Sequence, residues 1–266
     1  SIVNDTTSPR IQLTSDQAYI NWLPQVNPSR SLVAFTSNRD INPYVYTMKR
    51  NGLEEARAST KAVIGYHNQG EGFAWSPGGS YIIYGNYNSL IRDAVYLNQT
   101  TTIATAPDGR HFRQCFWEGL SNKIVVQTMG EEIYNSEIYI MNADGSNMEM
   151  LVANTPGRTE SPSLSADGEY LMFTHDDSGI DDPTGKQYDA NIYLLKTDSS
   201  EVINVSFNKP GGSNDLMPRF APDNYHIIFV NQDNNEIDKV GDVYIVNRDG
   251  TVRRLVVEDA TMPFWM

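Results

Sequence analysis

One pattern recurs along the chain and constrains its fold more than any other feature. It is an apolar residue, a small polar turn and an apolar run that ends near an aromatic residue, as in "SPSLSADGEYLMFTH" from Ser161 to His175. Its copies recur at intervals of 42 to 56 residues and begin at Pro24, Phe73, Cys115, Pro162, Pro218 and Pro263. Self-similarity at such a period indicates a repeat architecture.

A second element follows each of the first five copies. It is a short apolar run around a tyrosine, and the five tyrosines are Tyr46, Tyr96, Tyr139, Tyr193 and Tyr244. A turn, often Asn-Gly or Asp-Gly, and a last short apolar run close the unit. The runs are rich in β-branched and aromatic residues, so each unit predicts four short strands joined by tight turns. Four strands at this spacing are typical of one β-propeller blade.

The two ends of the chain extend the pattern. The stretch "SIVNDTTSPRIQLT" from Ser1 matches "YIVNRDGTVRRLV" from Tyr244, which predicts third and fourth strands at the N-terminus. Pro263 begins a first strand of the same blade. We therefore expect a single all-β domain over residues 1–266, a six-bladed β-propeller with four-stranded blades whose last blade is shared between the chain ends. A five-bladed propeller is the alternative, and the chain could be one domain of a longer protein.

The residues of the repeat resemble a known family. The Ser-Pro-Gly-Gly and Ala-Asp-Gly turns, the apolar runs after them, and "EIYIMNADG" from Glu137 are similar to the repeat of TolB-type, WD40-like β-propellers. The resemblance covers nearly the whole chain, although "WEGLSNK" from Trp117 departs from it. It implies the propeller fold and relatives that include periplasmic TolB, propellers of prolyl-oligopeptidase-type peptidases and oligogalacturonate lyases.

Composition narrows the range of partners. The formal net charge is −13, which argues against nucleic acid, because phosphates require a basic surface. No apolar run reaches the roughly 18 residues of a membrane helix. The single cysteine, Cys115, excludes an internal disulfide. We expect a periplasmic or secreted monomer whose leader has been removed.

Propeller geometry assigns the connections between strands to two faces. If the strands of a blade are lettered A to D from the centre outward, the D–A and B–C connections lie on one face, which we call the loop face. The A–B and C–D turns lie on the other, the turn face. Acidic residues precede several inner strands and are expected to surround the mouth of the central channel, where they would contact a ligand or partner: Asp16, Glu71, Glu160, Asp215 and Asp259.

Two long B–C loops in the fourth and fifth units are acidic. Clustered carboxylates are ligands that calcium prefers, although neither loop has the spacing of an EF-hand. A calcium site is therefore a hypothesis for these residues: Asp176, Asp177, Asp181, Asp182, Asp233 and Asp238.

Two functions are compatible with these features. The first is a non-catalytic binding or scaffold propeller that presents its acidic loop face and channel mouth to a protein, peptide or glycan. The second is a metal-dependent carbohydrate-active enzyme, because the resemblance to oligogalacturonate lyases implies a metal and a histidine-containing site. The residues available for that site are His67, Gln69, His111, Gln114 and His175.

Overall fold

The fold is entirely β. The structure is a computed structural model that describes residues 12–14, 18–97, 99–235 and 240–261. Over these ranges the chain forms 22 strands and no helix, and so no helix that could cross a membrane.

The strands are arranged as successive sheets, each built on one blade of four antiparallel strands. Blade 1 contains β1 (Asn21–Val26), β2 (Leu32–Asp40), β3 (Asn42–Lys49) and β4 (Ala56–Arg57). Two short strands follow, β5 (Ile64–Gly65) and β6 (Asn68–Gln69). Blade 2 contains β7 (Phe73–Trp75), β8 (Tyr81–Asn86), β9 (Ser89–Ala94) and β10 (Thr100–Thr105).

The remaining blades repeat this order. Blade 3 contains β11 (His111–Trp117), β12 (Lys123–Met129), β13 (Ser136–Asn142) and β14 (Glu149–Val152). Blade 4 contains β15 (Thr159–Leu164), β16 (Tyr170–Asp176), β17 (Ala190–Lys196) and β18 (Val202–Asn204). Blade 5 contains β19 (Ser213–Phe220), β20 (His226–Asp233), β21 (Asp242–Asn247) and β22 (Arg254–Val257).

The prediction of six blades is wrong, because the described residues form five four-stranded blades, which was the alternative count. The sixth blade was inferred from two fragments that match only the outer strands and the beginning of an inner one. Neither fragment carries a B strand, which holds the buried apolar run of every complete blade, such as Leu171–Phe173 in blade 4. The fragments themselves fall mostly in residues 1–11 and 262–266, which lie outside the described residues.

The core lies between neighbouring blades, because alternate residues of each strand point to opposite faces of its sheet. Ala34 of blade 1 packs with Phe73 and Tyr84 of blade 2 in one buried cluster, and Ile83 of blade 2 packs with Val126 of blade 3 in the next. Equivalent clusters join blades 3 and 4, and blades 4 and 5. This packing orients the five inner strands around a common channel.

One repeated tyrosine does not lie where the pattern places it. Tyr96 is 66% exposed in the turn after β9, whereas Tyr46 and Tyr193 lie in C strands. The B–C hairpin of blade 2 is tight, so its C strand begins early, at Ser89. Ile91 therefore takes the position opposite the B-strand aromatic residue, Tyr84.

Candidate functional site

A bulge in the inner strands shapes the channel. Strands β1, β15 and β19 shift register in their middle, and at each shift a residue before a proline has positive φ: Leu23 (51°), Ser161 (56°) and Met217 (53°). Proline suits a bulge because no ladder hydrogen bond is lost there. Non-glycine residues with positive φ cost free energy and cluster at functional sites. The bulges thus mark the channel as the candidate site.

At the corresponding place in blade 2, the residue with positive φ is a glycine. Gly72 has φ of 80°, and a Cβ there would lie 2.4 Å from Cα of Gln114 and 2.6 Å from the carbonyl oxygen of Arg113. Only glycine allows this approach of two inner strands. The backbone of blade 2 therefore contacts blade 3 directly at the channel wall.

The channel contains two adjoining cavities that share lining residues. The cavity toward the loop face has a volume of about 230 Å³, and the cavity toward the turn face has a volume of about 410 Å³. The turn-side cavity is walled by aromatic side chains, among them Trp75, Phe116 and Trp117. Five residues line both cavities, one or more from each of blades 1, 3, 4 and 5: Leu23, Gln25, Gln114, Ser161 and Arg219.

Arg113 joins two of the predicted mouth carboxylates. Its guanidinium forms ion pairs with Glu71 and Glu160, and its Nε donates to the carbonyl oxygen of His67 at 2.9 Å. Arg158 forms a second ion pair with Glu160. Burial opposes the charged forms, but the two guanidiniums outweigh it and lower the pKa of Glu160. These carboxylates are therefore neutralised within the channel wall rather than free to form a negative ring.

The other predicted mouth residues lie elsewhere. Asp215 is fully buried and forms an ion pair with Arg253. Asp259 is exposed at the edge of blade 5, where its N–H donates to Asp242. Asp16 lies outside the described residues.

Arg219 is a channel residue that the sequence analysis missed. It lies in β19 just beyond the bulge and lines both cavities. Burial lowers the pKa of its guanidinium, whose hydrogen bond is donated by Nη1 to the carbonyl oxygen of Pro218 at 2.8 Å. Within the described part of the chain, no carboxylate forms an ion pair with it. The strand registers place uncharged residues at the corresponding positions of the other blades: Gln25, Ala74, Phe116 and Ser163. A charged residue at this position of the repeat was therefore a signal present in the sequence.

The acidic loop of blade 4 is held together by its own carboxylates. Asp176 accepts N–H bonds from Ser178, Tyr188 and Asp189. Asp182 accepts from the N–H and hydroxyl of Thr184 and from the Tyr188 hydroxyl. These are the local side-chain to backbone bonds that carboxylates commonly form in loops.

The other candidate calcium ligands have similar partners. Asp177 accepts from Asn191 and from the Tyr193 hydroxyl. Asp181 accepts from the N–H of Gly157, and Asp233 accepts from Asn235. Asp238 lies outside the described residues. No group of three His, Cys, Asp or Glu side chains suited to a metal occurs in the described ranges, and the calcium site stays a hypothesis.

The three histidines of the alternative site make separate local contacts. His67 Nε2 lies 2.6 Å from the carbonyl oxygen of Glu131, and His175 Nδ1 lies 2.9 Å from the hydroxyl of Thr159. His111 stacks on Tyr66, accepts that residue's N–H at Nδ1, and has its pKa lowered by burial.

The two glutamines of that site also differ in position. Gln114 lines the channel and accepts the N–H of Ser161 at 2.6 Å, whereas Gln69 is exposed in β6. Because the described residues do not group these histidines into a metal-binding set, the enzyme alternative stays a prediction without geometric support.

Because five four-stranded blades surround a central channel, this protein is a β-propeller. No protein-family model and no curated protein matches the chain. Among solved structures it is similar to one described as TolB from Agrobacterium tumefaciens, at 15% identity and a TM-score of 0.67, over 92% of this chain and 86% of that one.

Two further structures are similar at lower coverage or score. TolB from Acinetobacter baumannii is 15% identical with a TM-score of 0.66, over 94% of this chain and 58% of that one. An oligogalacturonate lyase from Vibrio parahaemolyticus is 11% identical with a TM-score of 0.50, over 92% and 80%. At these identities the likeness shows the fold alone, a β-propeller similar to those of the two TolB structures.

Proposed function

We propose that this protein is a non-catalytic binding propeller that receives an extended segment of a partner protein in its central channel from the loop face. The observation that carries the proposal is the channel itself, in which bulged inner strands surround two adjoining cavities, the turn-side one with aromatic walls. A concave, largely apolar cavity with a few polar groups is the usual form of a binding site. The strained residues Leu23 and Met217 lie at its wall, where conformational strain is often retained for function.

The loop face beside the channel supports a protein partner. Ile20 and Ile41 of blade 1 are 66% and 95% exposed. Both are tied to Asn38, whose side chain accepts the N–H of Ile20 at 2.7 Å and whose carbonyl accepts that of Ile41 at 3.2 Å. These two exposed aliphatic side chains, on backbone held by Asn38, offer a contact for residues that flank the inserted segment.

A periplasmic location is part of the proposal. It is supported by the resemblance of the repeats to TolB-type propellers. Release of the protein from cells by osmotic shock would test it, and retention with the cytoplasmic fraction would contradict it.

The binding site is tested by selecting phage-displayed random peptides on the purified protein. We expect a consensus sequence to be enriched on the wild type. Gln114→Trp places a large side chain in the channel, so the enriched peptides should lose binding. Thr101→Trp, on the exposed outer strand β10, is the matched control and should retain it.

Two results would overturn the proposal. One is a selection without any consensus on the wild type. The other is equal binding of the enriched peptides to wild type and Gln114→Trp, with circular dichroism confirming that the variant is folded.

A further inference from the structure

Arg219 is a partly buried cation, and no carboxylate among the described residues forms an ion pair with it. Ionised groups taken out of water are costly unless they are paired, and arginine does not escape the cost by deprotonating. The only hydrogen bond recorded for its guanidinium among the described residues goes to the adjacent carbonyl of Pro218. The other donors of this guanidinium are left for something that enters the channel.

The charges around Arg219 favour an anion rather than a cation. In the turn-side cavity, the charged residues among the described lining are Arg30 and Arg219, and no carboxylate is present. In the loop-side cavity, the carboxylates of Glu71 and Glu160 are already paired with Arg113. The channel is therefore cationic at its centre, although the whole chain carries a net charge of −13.

A second unused donor lines the loop-side cavity. Gln187, which is 9% exposed, has an Nε2 group that is buried and has no hydrogen-bond partner within the described chain. A buried amide without a partner is unusual in a native protein and calls for an acceptor. Its presence beside the same cavity is independent of the argument from Arg219.

We infer that Arg219 is the carboxylate-binding residue of the channel. The ligand is a partner segment that places a carboxylate against Arg219 and apolar side chains against the aromatic walls. Arginine suits this role because its planar fork matches a carboxylate with two parallel hydrogen bonds. The carboxylate is either the C-terminus of the segment or an Asp or Glu side chain within it. This inference rests on the proposed function.

The test compares three synthetic peptides by isothermal titration calorimetry. One is N-acetyl-Phe-Phe with a free carboxylate, the second is its C-terminal amide, and the third is the amide of N-acetyl-Phe-Asp-Phe. We expect the free acid or the Asp peptide to bind at least about tenfold more tightly than the neutral amide, since a hydrogen-bonded charge pair typically contributes that much. Whichever anionic peptide binds more tightly identifies the source of the carboxylate.

Variants then assign the preference to Arg219. Arg219→Gln should abolish the preference for the anionic peptide, and Arg219→Lys should retain part of it. Arg92→Gln removes the same charge from β9, outside the channel lining, and should leave the preference unchanged. Removing a partly buried charge without an ion-pair partner should not lower Tm, and if Arg219→Gln fails to fold, Arg219→Lys and Arg219→Met provide the comparison.

The outcomes separate this inference from the proposed function. Equal binding of acid and amide, abolished by Gln114→Trp, would overturn the carboxylate site and leave the channel as a peptide site. An acid preference that persists in Arg219→Gln would also overturn it. Absence of binding by all three peptides at millimolar concentration overturns the carboxylate site, while the phage selection still decides the proposed function.

Discussion

The guanidinium of Arg253 forms a two-pronged ion pair with the carboxylate of Asp215, with both N–O distances at 2.7 Å. Asp215 is fully buried and also accepts hydrogen bonds from Ser206 and Asn231. The Arg253 guanidinium also packs on two aromatic rings, at 4.6 Å from the ring centroid of Phe229 and 4.9 Å from that of Tyr244. The pair joins the inner strand of blade 5 to its C–D turn, the Ser206 hydrogen bond links Asp215 to the segment after blade 4, and these contacts leave Asp215 unavailable to a ligand.

This ion pair predicts a large loss of stability when one partner is removed. Asp215→Asn leaves a buried guanidinium without its counter-ion, so the free energy of unfolding in urea should fall by about 3–5 kcal/mol. Arg253→Met should cost a similar amount. The double variant should cost less than the sum of the two single variants, because no uncompensated charge remains. Additive losses would show that the two charges do not stabilise each other.

Ile41 predicts a variant that is more stable than the wild type. It is 95% exposed and has φ of 71°, a conformation that is strongly disfavoured for a β-branched residue. Ile41→Asn should raise the free energy of unfolding by about 1 kcal/mol, because asparagine tolerates this backbone and the exposed side chain contributes little packing. Ile20→Asn, also exposed but without positive φ, should change nothing. A lower Tm for Ile41→Asn would show that its side chain packs in solution.

Asp182 predicts a stability contribution that is lost in acid. The hydrogen bond from the Thr184 hydroxyl, with that from Tyr188, lowers the pKa of Asp182 to about 2 from its usual 3.8. A carboxylate whose pKa is lower in the folded state stabilises that state above its unfolded pKa and stops doing so as pH falls through the folded value. The Tm difference between wild type and Asp182→Asn should therefore be present at neutral pH and should disappear between about pH 4 and pH 2.

A matched surface variant controls for general acid effects. Asp198→Asn removes a carboxylate whose ion pair with Lys196 is 3.7 Å long and exposed, so its Tm difference should stay small throughout. A constant difference for Asp182→Asn over the same pH range would contradict the assignment of the Thr184 hydrogen bond.

The partners of the acidic loop predict the effect of calcium. Because the oxygens of Asp176 and Asp182 already accept hydrogen bonds from the protein, a calcium ion would have to replace those donors. Tm measured by differential scanning calorimetry should therefore be the same in excess calcium chloride and in excess chelator. A clear rise with calcium, lost in Asp182→Asn, would establish the calcium site.

The repeat determined the fold class from sequence alone. Apolar runs such as Leu171–Phe173, set between polar turns, specify strands whose two faces must both be buried, and neighbouring blades provide that burial. The sequence did not determine the number of blades, because short fragments can match a strand pattern without forming the hairpin that completes a blade. It also misplaced Tyr96, since the length of a hairpin decides where the next strand begins.

The tertiary structure decided which charges are available. Along the sequence, Glu71, Arg113, Glu160, Asp215 and Arg219 are equivalent, because each is a charge at or next to an inner strand. In the folded chain, Arg113 and Arg158 pair with two carboxylates, Arg253 pairs with a third, and Arg219 has no carboxylate partner among the described residues. Ion pairing between residues 38 to 47 positions apart depends on how strands pair and blades pack, and a local sequence pattern carries no record of it.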